Sequence, residues 1–181
     1  MSNVMQEQFG ASAASVALVN ELQQALYREA RMLDGERYDD WVAMLADDLH
    51  YHMPSIETRY RADKTDQIGD LKRAALYNDS REDIKKRLGR LATGTAWSED
   101  PATRFTHLIS NVEVELTSND DEYRVYSAFL VYRSRNECDQ DTLIGNRVDL
   151  WRRTPQGLKL ARRLILLKQN LLMSKNLNMY L

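Results

Sequence analysis

Sulfur ligands are what this chain has least of. Its 181 residues contain one cysteine, Cys138, which excludes an internal disulfide, a tetrathiolate zinc site and a self-contained iron–sulfur cluster, since even a Rieske centre draws on two Cys and two His. Any such centre working with this protein must belong to another chain. Cys138 itself falls in a polar turn and reads as a partly exposed free thiol with no role assigned to it. An excess of one charge is missing too: 25 Lys and Arg against 27 Asp and Glu leave a formal −2, too little to call for a nucleic acid or an anionic membrane as partner. No apolar run approaches the ~20 residues of a membrane span. The first ten residues lack the basic start and apolar stretch of a secretory signal, so a cytoplasmic location is expected. The seven glycines stand singly, and neither a phosphate-cradling loop nor a nucleophile-elbow serine is formed from them.

What is present is an ordinary globular composition, 43% hydrophobic and 29% charged, in a chain about one domain long. Residues 1–14 are polar and small and read as a loose arm. Residues 15–181 read as one domain, organised around the stretch 104–168. Four successive strands are expected there, at 104–116, 122–134, 142–153 and 158–168. In the first, Val112, Val114 and Leu116 alternate with Asn111, Glu113 and Glu115, the period of a strand with one face buried. In the second, Tyr123, Val125, Phe129 and Val131 share one parity and Tyr126, Ala128, Leu130 and Tyr132 the other, so both faces are apolar, as in a central strand. Short turn-forming gaps at 118–121, 136–141 and 154–157 join neighbours antiparallel, because a parallel return needs a crossover of roughly a dozen residues. Leu160, Leu164 and Leu167 also fit helical spacing, but the preceding Pro-Gly turn and the length favour a strand.

Ahead of this meander, Leu18, Val19, Leu22, Leu26, Ala30 and Leu33 recur at helical spacing, with Glu21, Gln24 and Arg28 outside the stripe. Asp34 and Gly35 end that helix, glycine being suited to a left-handed turn. A second helix is expected over 39–46, with Trp41 and Leu45 on one face. A strand over 49–53 places Leu49, Tyr51 and Met53 on one side and His50 and His52 on the other, and stops at Pro54. Residues 55–78 read as a long polar excursion holding at most a short strand around 58–61. A third helix starts from a cap at Ser80, carries Ile84, Leu88 and Leu91 on one face and closes at Gly94. The stretch 171–181, rich in large apolar groups, should be docked on its own sheet or on another subunit.

The sharpest local feature is the run Asp47, Asp48, Leu49, His50, Tyr51, His52. Two imidazoles on one strand face, with a carboxylate and His107, could complete a nonheme iron or zinc site. The same groups could serve as acid and base in a dehydratase or isomerase whose sheet encloses a pocket, or line a small-molecule binding cavity. The plain alternative is histidines on a wet or interfacial strand face. The pairs Arg152, Arg153 and Arg162, Arg163 read as salt-bridged or solvated rather than as a nucleic-acid track.

In this order of elements the sequence resembles the small (beta) subunit of Rieske-type aromatic-ring-hydroxylating dioxygenases. The residues that carry the resemblance are the run 27–34, Trp41 with Leu45, the run 51–54, Trp97 with residues 98–101, the run 104–112, and Asn176 with Leu177. The resemblance implies an α+β fold: a curved antiparallel sheet wrapped around N-terminal helices, the cystatin-like cone shared with nuclear transport factor two, scytalone dehydratase and ketosteroid isomerase. It implies a noncatalytic subunit with no cofactor and no metal of its own. Three copies would assemble with three large (alpha) subunits, which hold the Rieske 2Fe-2S cluster, the mononuclear Fe(II) and the substrate. NADH electrons would arrive through a reductase and often a ferredoxin, and an aromatic compound would become a cis-dihydrodiol with O2. For such an assembly His52, Trp97, Arg104, Tyr132, Trp151, Met179, Tyr180 and Leu181 are the expected interface residues. The competing expectation is a free-standing dehydratase or isomerase using His50, His52 and His107.

Overall fold

The computed structural model describes residues 14–56, 60, 62–63, 75–92, 102–137, 139–169 and 180–181. Helix α1 (Val16–Asp34) starts at Ser15, whose Oγ accepts the Leu18 N–H at 3.2 Å, the capping bond that a helix start needs. It buries Leu22, Ala25, Leu26, Ala30 and Leu33, and one charged residue, Glu29, on the same stripe. The left-handed position after the helix is Glu36, at φ 52, and not Gly35, at φ −95. A side chain at Gly35 would still meet the Arg31 carbonyl oxygen at 3.2 Å, so it is close approach, not backbone sign, that favours glycine there.

Helix α2 (Tyr38–Ala43) is shorter than its apolar spacing predicts. Trp41 is buried as expected, but Leu45 and Ala46 open strand β1 (Leu45–Pro54) instead. Leu45 pairs with Leu160 across a sheet seam, and the Leu160 N–H donates to the Met44 carbonyl at 2.9 Å. Ladder bonds from a distant strand thus outweigh another half-turn of helix. A strand β2 (Ala75–Ser80) lies at the end of the expected excursion; its polar sequence gives little period, and its partner β1 is what selects it. Of the strand expected around 58–61, only Tyr60 is described, and it is not in a strand. Helix α3 (Arg81–Ala92) follows Ser80, which donates its N–H to Asp83 at 3.2 Å and accepts the Asp83 N–H at 3.3 Å, a reciprocal cap. Gly94 lies outside the described residues.

The meander forms as expected: β3 (Arg104–Leu116), β4 (Glu122–Arg135), β5 (Asp139–Thr154) and β6 (Gly157–Leu167). The six strands form one sheet in the order β2-β1-β6-β5-β4-β3, antiparallel except where β1 runs parallel to β6. No short hairpin constrains that pair, so the parallel seam costs nothing in connectivity. Strand β3 changes register between Ser110 and Glu113, with Asn111 at φ 51. The bulge switches parity, so that Phe105 and Ile109 pack on the core before it and Val112, Val114 and Leu116 after it.

The helices cover the concave face, and the core between the layers contains Leu22, Leu26, Trp41, Tyr51, Val125, Val131, Trp151 and Ile165, all under 1% exposed. Gly145 belongs to this face, because a Cβ there would come within 2.7 Å of both the Leu166 carbonyl oxygen and the Phe129 ring. Among the described residues no helix packs on the convex face at its β3–β4–β5 end. Strand β4 is apolar on both faces, but its outward residue Tyr132 is 41% exposed, and Leu108 and Ile144 beside it are 58% and 46% exposed.

Candidate functional site

Two regions carry the candidate residues, one on each side of the sheet. Inside the cone, Glu29 from α1 projects between β5 and β6, where it is 1% exposed. Arg163 of β6 grips it with Nη1 to Oε1 at 2.7 Å and Nη2 to Oε2 at 2.8 Å. The same guanidinium donates to Asp149 of β5 through Nε at 2.9 Å and Nη2 at 2.7 Å, and Nη1 also reaches the Leu181 carbonyl at 3.2 Å. All five N–H donors of Arg163 are therefore used. Trp41 Nε1 donates to Glu29 Oε1 at 2.9 Å, and Trp151 Nε1 to Asp149 at 3.4 Å. Arg147 adds a second cation, with Nη1 3.7 Å from Glu29 Oε2 and Nε donating to Ser127 at 3.3 Å.

Two carboxylates and two guanidinium groups balance, which is the condition for keeping charge in a dry interior. Burial pushes the Glu29 carboxyl up, but the charge and hydrogen bonds of Arg163, the charge of Arg147 and the Trp41 N–H outweigh it and hold the group at about 2. Burial alone would ease the proton off Arg163, but Asp149 and Glu29 raise it well above its ordinary value. Arg147 goes the other way, lowered by burial and by the neighbouring Arg163. Burial also raises the Tyr51 phenol. A carboxylate held this firmly ionised and saturated with donors is a poor proton acceptor, so the arrangement is suited to structure rather than to general acid–base work.

Next to this network, His107 of β3 lies with Nδ1 2.6 Å from Asp34 Oδ1 and Nε2 2.9 Å from the Tyr180 carbonyl oxygen. Both ring nitrogens thus lie within hydrogen-bond distance of an oxygen, one from α1 and one from residue 180. Tyr51 accepts the Leu181 N–H at 2.7 Å and donates to the Leu181 carbonyl at 2.8 Å.

His50 and His52 lie on the opposite face of β1 from Tyr51. Their rings stack 5.5 Å apart, and His50 Nε2 meets Asn78 Oδ1 at 2.8 Å. Burial, with the His50 charge beside it, lowers the His52 proton affinity. The sheet therefore separates these two rings from His107, and the three-histidine acid–base or metal arrangement does not form. Asp47 pairs with Arg81, and Asp48 takes a bidentate bond from Arg152 at 2.9 and 3.0 Å. Among the described residues no three His, Cys, Asp or Glu side chains converge as metal ligands.

The expected interface residues divide. Arg104 and Tyr132 lie on the open convex face beside Leu108 and Ile144, where the pairings Leu108 to Leu130 and Leu130 to Ile144 make an apolar row across three strands. His52 is on that face as well, but 8% exposed. Trp151 is not an outward anchor: it is wholly buried in its own core, since its parity on β5 follows Leu143, Arg147 and Asp149. Tyr180 and Leu181 are 6% and 0% exposed inside their own cone, so their side chains are satisfied without a second subunit. Trp97, Met179 and Cys138 lie outside the described residues. The buried ionic network escaped sequence reasoning, although it left a signal: Glu29 falls on the apolar stripe of α1, and Arg147, Asp149 and Arg163 share parity with core residues.

Comparison with known proteins matches the family model "Ring hydroxylating beta subunit" over residues 28–174. The chain is 36% identical over 168 residues to the benzene 1,2-dioxygenase subunit beta of Pseudomonas putida, an alignment covering 92% of this chain and 90% of that one. Among solved structures it superposes on naphthalene 1,2-dioxygenase with indole bound in the active site, with a TM-score of 0.84, 24% identity, and coverage of 94% and 89%. A putative scytalone dehydratase from Novosphingobium aromaticivorans shares the cone with a TM-score of 0.60 at 16% identity, over 85% of this chain and 86% of that one.

Proposed function

The chain belongs to the family of ring hydroxylating beta subunits, and from that membership we propose a noncatalytic, assembly-forming role within a multicomponent aromatic-ring dioxygenase. As such a subunit it is part of an oxidoreductase that works with an alpha subunit. The finer reading is a hexamer of three beta and three alpha chains in the cytoplasm. The alpha chains would hold the Rieske cluster, the mononuclear iron and the arene, with NADH electrons delivered by a reductase and, where present, a ferredoxin. The donor set of this chain supports that division. Its single cysteine cannot ligate a cluster, and its histidines are split between the two faces of the sheet.

The observation that carries the proposal is the contrast between those faces. The concave side is closed by helices over a buried, charge-paired network, whereas the convex side leaves Leu108, Tyr132 and Ile144 open to water. Exposed apolar rows on a sheet mark contact surfaces, and obligate interfaces resemble a core cut in half, commonly burying ~2,000 Å² or more. The test is to purify this chain alone and together with its alpha subunit. Ring hydroxylation and stoichiometric iron are expected only in the joint preparation. Turnover of an arene, or tightly held iron, in the isolated chain would overturn the reading.

A further inference from the structure

The main-chain atoms of Tyr180 and Leu181 are held by side chains in every hydrogen bond described for them. Tyr51 of β1 both accepts the Leu181 N–H at 2.7 Å and donates to the Leu181 carbonyl at 2.8 Å. Arg163 of β6 donates to the same carbonyl at 3.2 Å. His107 of β3, steadied by Asp34, holds the Tyr180 carbonyl at 2.9 Å. Three strands thus aim one polar group each at the main-chain atoms of two consecutive residues. A segment added to a sheet would instead be read by backbone ladder bonds.

The side chains are received as selectively as the backbone. The Tyr180 ring sits 4.6 Å from Trp41, and 5.7 Å from each of Tyr51 and Tyr77, the Tyr51 contact being edge-on at 87°, the separations at which aromatic rings attract. Leu181 is fully buried. The phenol oxygen of Tyr180 is buried without a hydrogen-bond partner among the described residues, so the box recognises the ring and not the hydroxyl. With the two residues gone, the Tyr51 hydroxyl, His107 Nε2 and one Arg163 N–H would line a polar-floored, aromatic-walled space.

We propose that the interior of the cone is a peptide-binding site whose resident ligand is this chain's own Tyr180 and Leu181, and that the vacated site takes a short N-acylated aromatic–aliphatic dipeptide in their place. This is independent of assembly with an alpha subunit, because binding is read on this chain alone.

The experiment uses the full chain and a variant lacking Tyr180 and Leu181, each titrated with N-acetyl-tyrosyl-leucine and N-acetyl-phenylalanyl-leucine. Melting temperature and Trp fluorescence are followed. The shortened chain is expected to melt below the parent and to recover saturably with either probe, the phenylalanyl one binding at least as tightly. The parent is expected to bind neither. Tyr51→Phe in the shortened chain should weaken the probe roughly tenfold or more, as loss of a buried hydrogen bond does. If the shortened chain does not fold unaided, it is refolded in the presence of each probe, and recovery of a cooperative melt and of the parent's Trp fluorescence is expected to saturate with probe concentration; no recovery at any concentration would overturn the proposal. A shortened chain that melts like the parent, equal binding by parent and variant, or no saturable response in the folded variant would each overturn the proposal.

Discussion

Glu29 shows how one residue can be chosen by its surroundings against its own preference. A carboxylate on the apolar stripe of a helix is costly unless its charge is matched, and here Arg163, Arg147 and Trp41 match it. Replacing it by Gln keeps the shape but leaves two buried guanidinium groups facing one carboxylate. Glu29→Gln is expected to cost about 3 kcal/mol, which lowers the melting temperature by roughly 6–12 °C for a chain of this length. Pairing it with Arg163→Met should cost less than the sum of the single changes, measurable as a double-mutant cycle. The pH dependence follows from the same group. In the unfolded chain Glu29 takes its proton near 4.5, and in the folded chain only at about 2. Its contribution is therefore complete above pH ~4.5 and is lost as pH falls towards 2. Thermal melts should show the gap between parent and Glu29→Gln narrowing across that window. A gap that stays constant down to pH 2 would remove Glu29 as its source.

At the scale of elements, the bulge in β3 decides which side chains the strand gives to the core. Asn111 at φ 51 is the extra residue that flips the parity, and Asn is among the few residues that tolerate a left-handed backbone. Asn111→Gly should leave stability near that of the parent, whereas Asn111→Val should cost about 1–2 kcal/mol, read from urea midpoints. If the two variants prove equally stable, the backbone at 111 is not constrained as described. The start of α3 follows a similar logic, since Ser80 and Asp83 satisfy each other's donors, so that a polar pair marks a boundary that no apolar period would locate.

For the whole molecule the informative feature is an asymmetry in water exposure. One side of the sheet is closed by helices and by residues 180–181, and the other presents Leu108, Leu130 and Ile144 in a row. Because Leu108 and Ile144 are about half exposed in the single chain, Leu108→Asp with Ile144→Asp should change its own stability by no more than about 0.5 kcal/mol per site. The same pair of changes should abolish sedimentation with a coproduced alpha subunit or with further copies of this chain, since charge would be forced into an apolar contact. Undiminished assembly would move the interface off the convex face.

The residues alone determined the α+β order, the four meander strands, the length of α1, the cap at Ser80 and the lack of cluster ligands, because each rests on local periodicity, turn chemistry or a count. They did not reveal the parallel seam between β1 and β6, the strand at 75–80, the shortening of α2 or the inward placement of Trp151. Each of these depends on a partner far along the chain, whose ladder bonds and packing outweigh local preference. The three histidines make the point most directly. Sequence brought them together as one candidate site, and the sheet put His50 and His52 on one side and His107 on the other, because alternation decides facing only once it is known which face is covered.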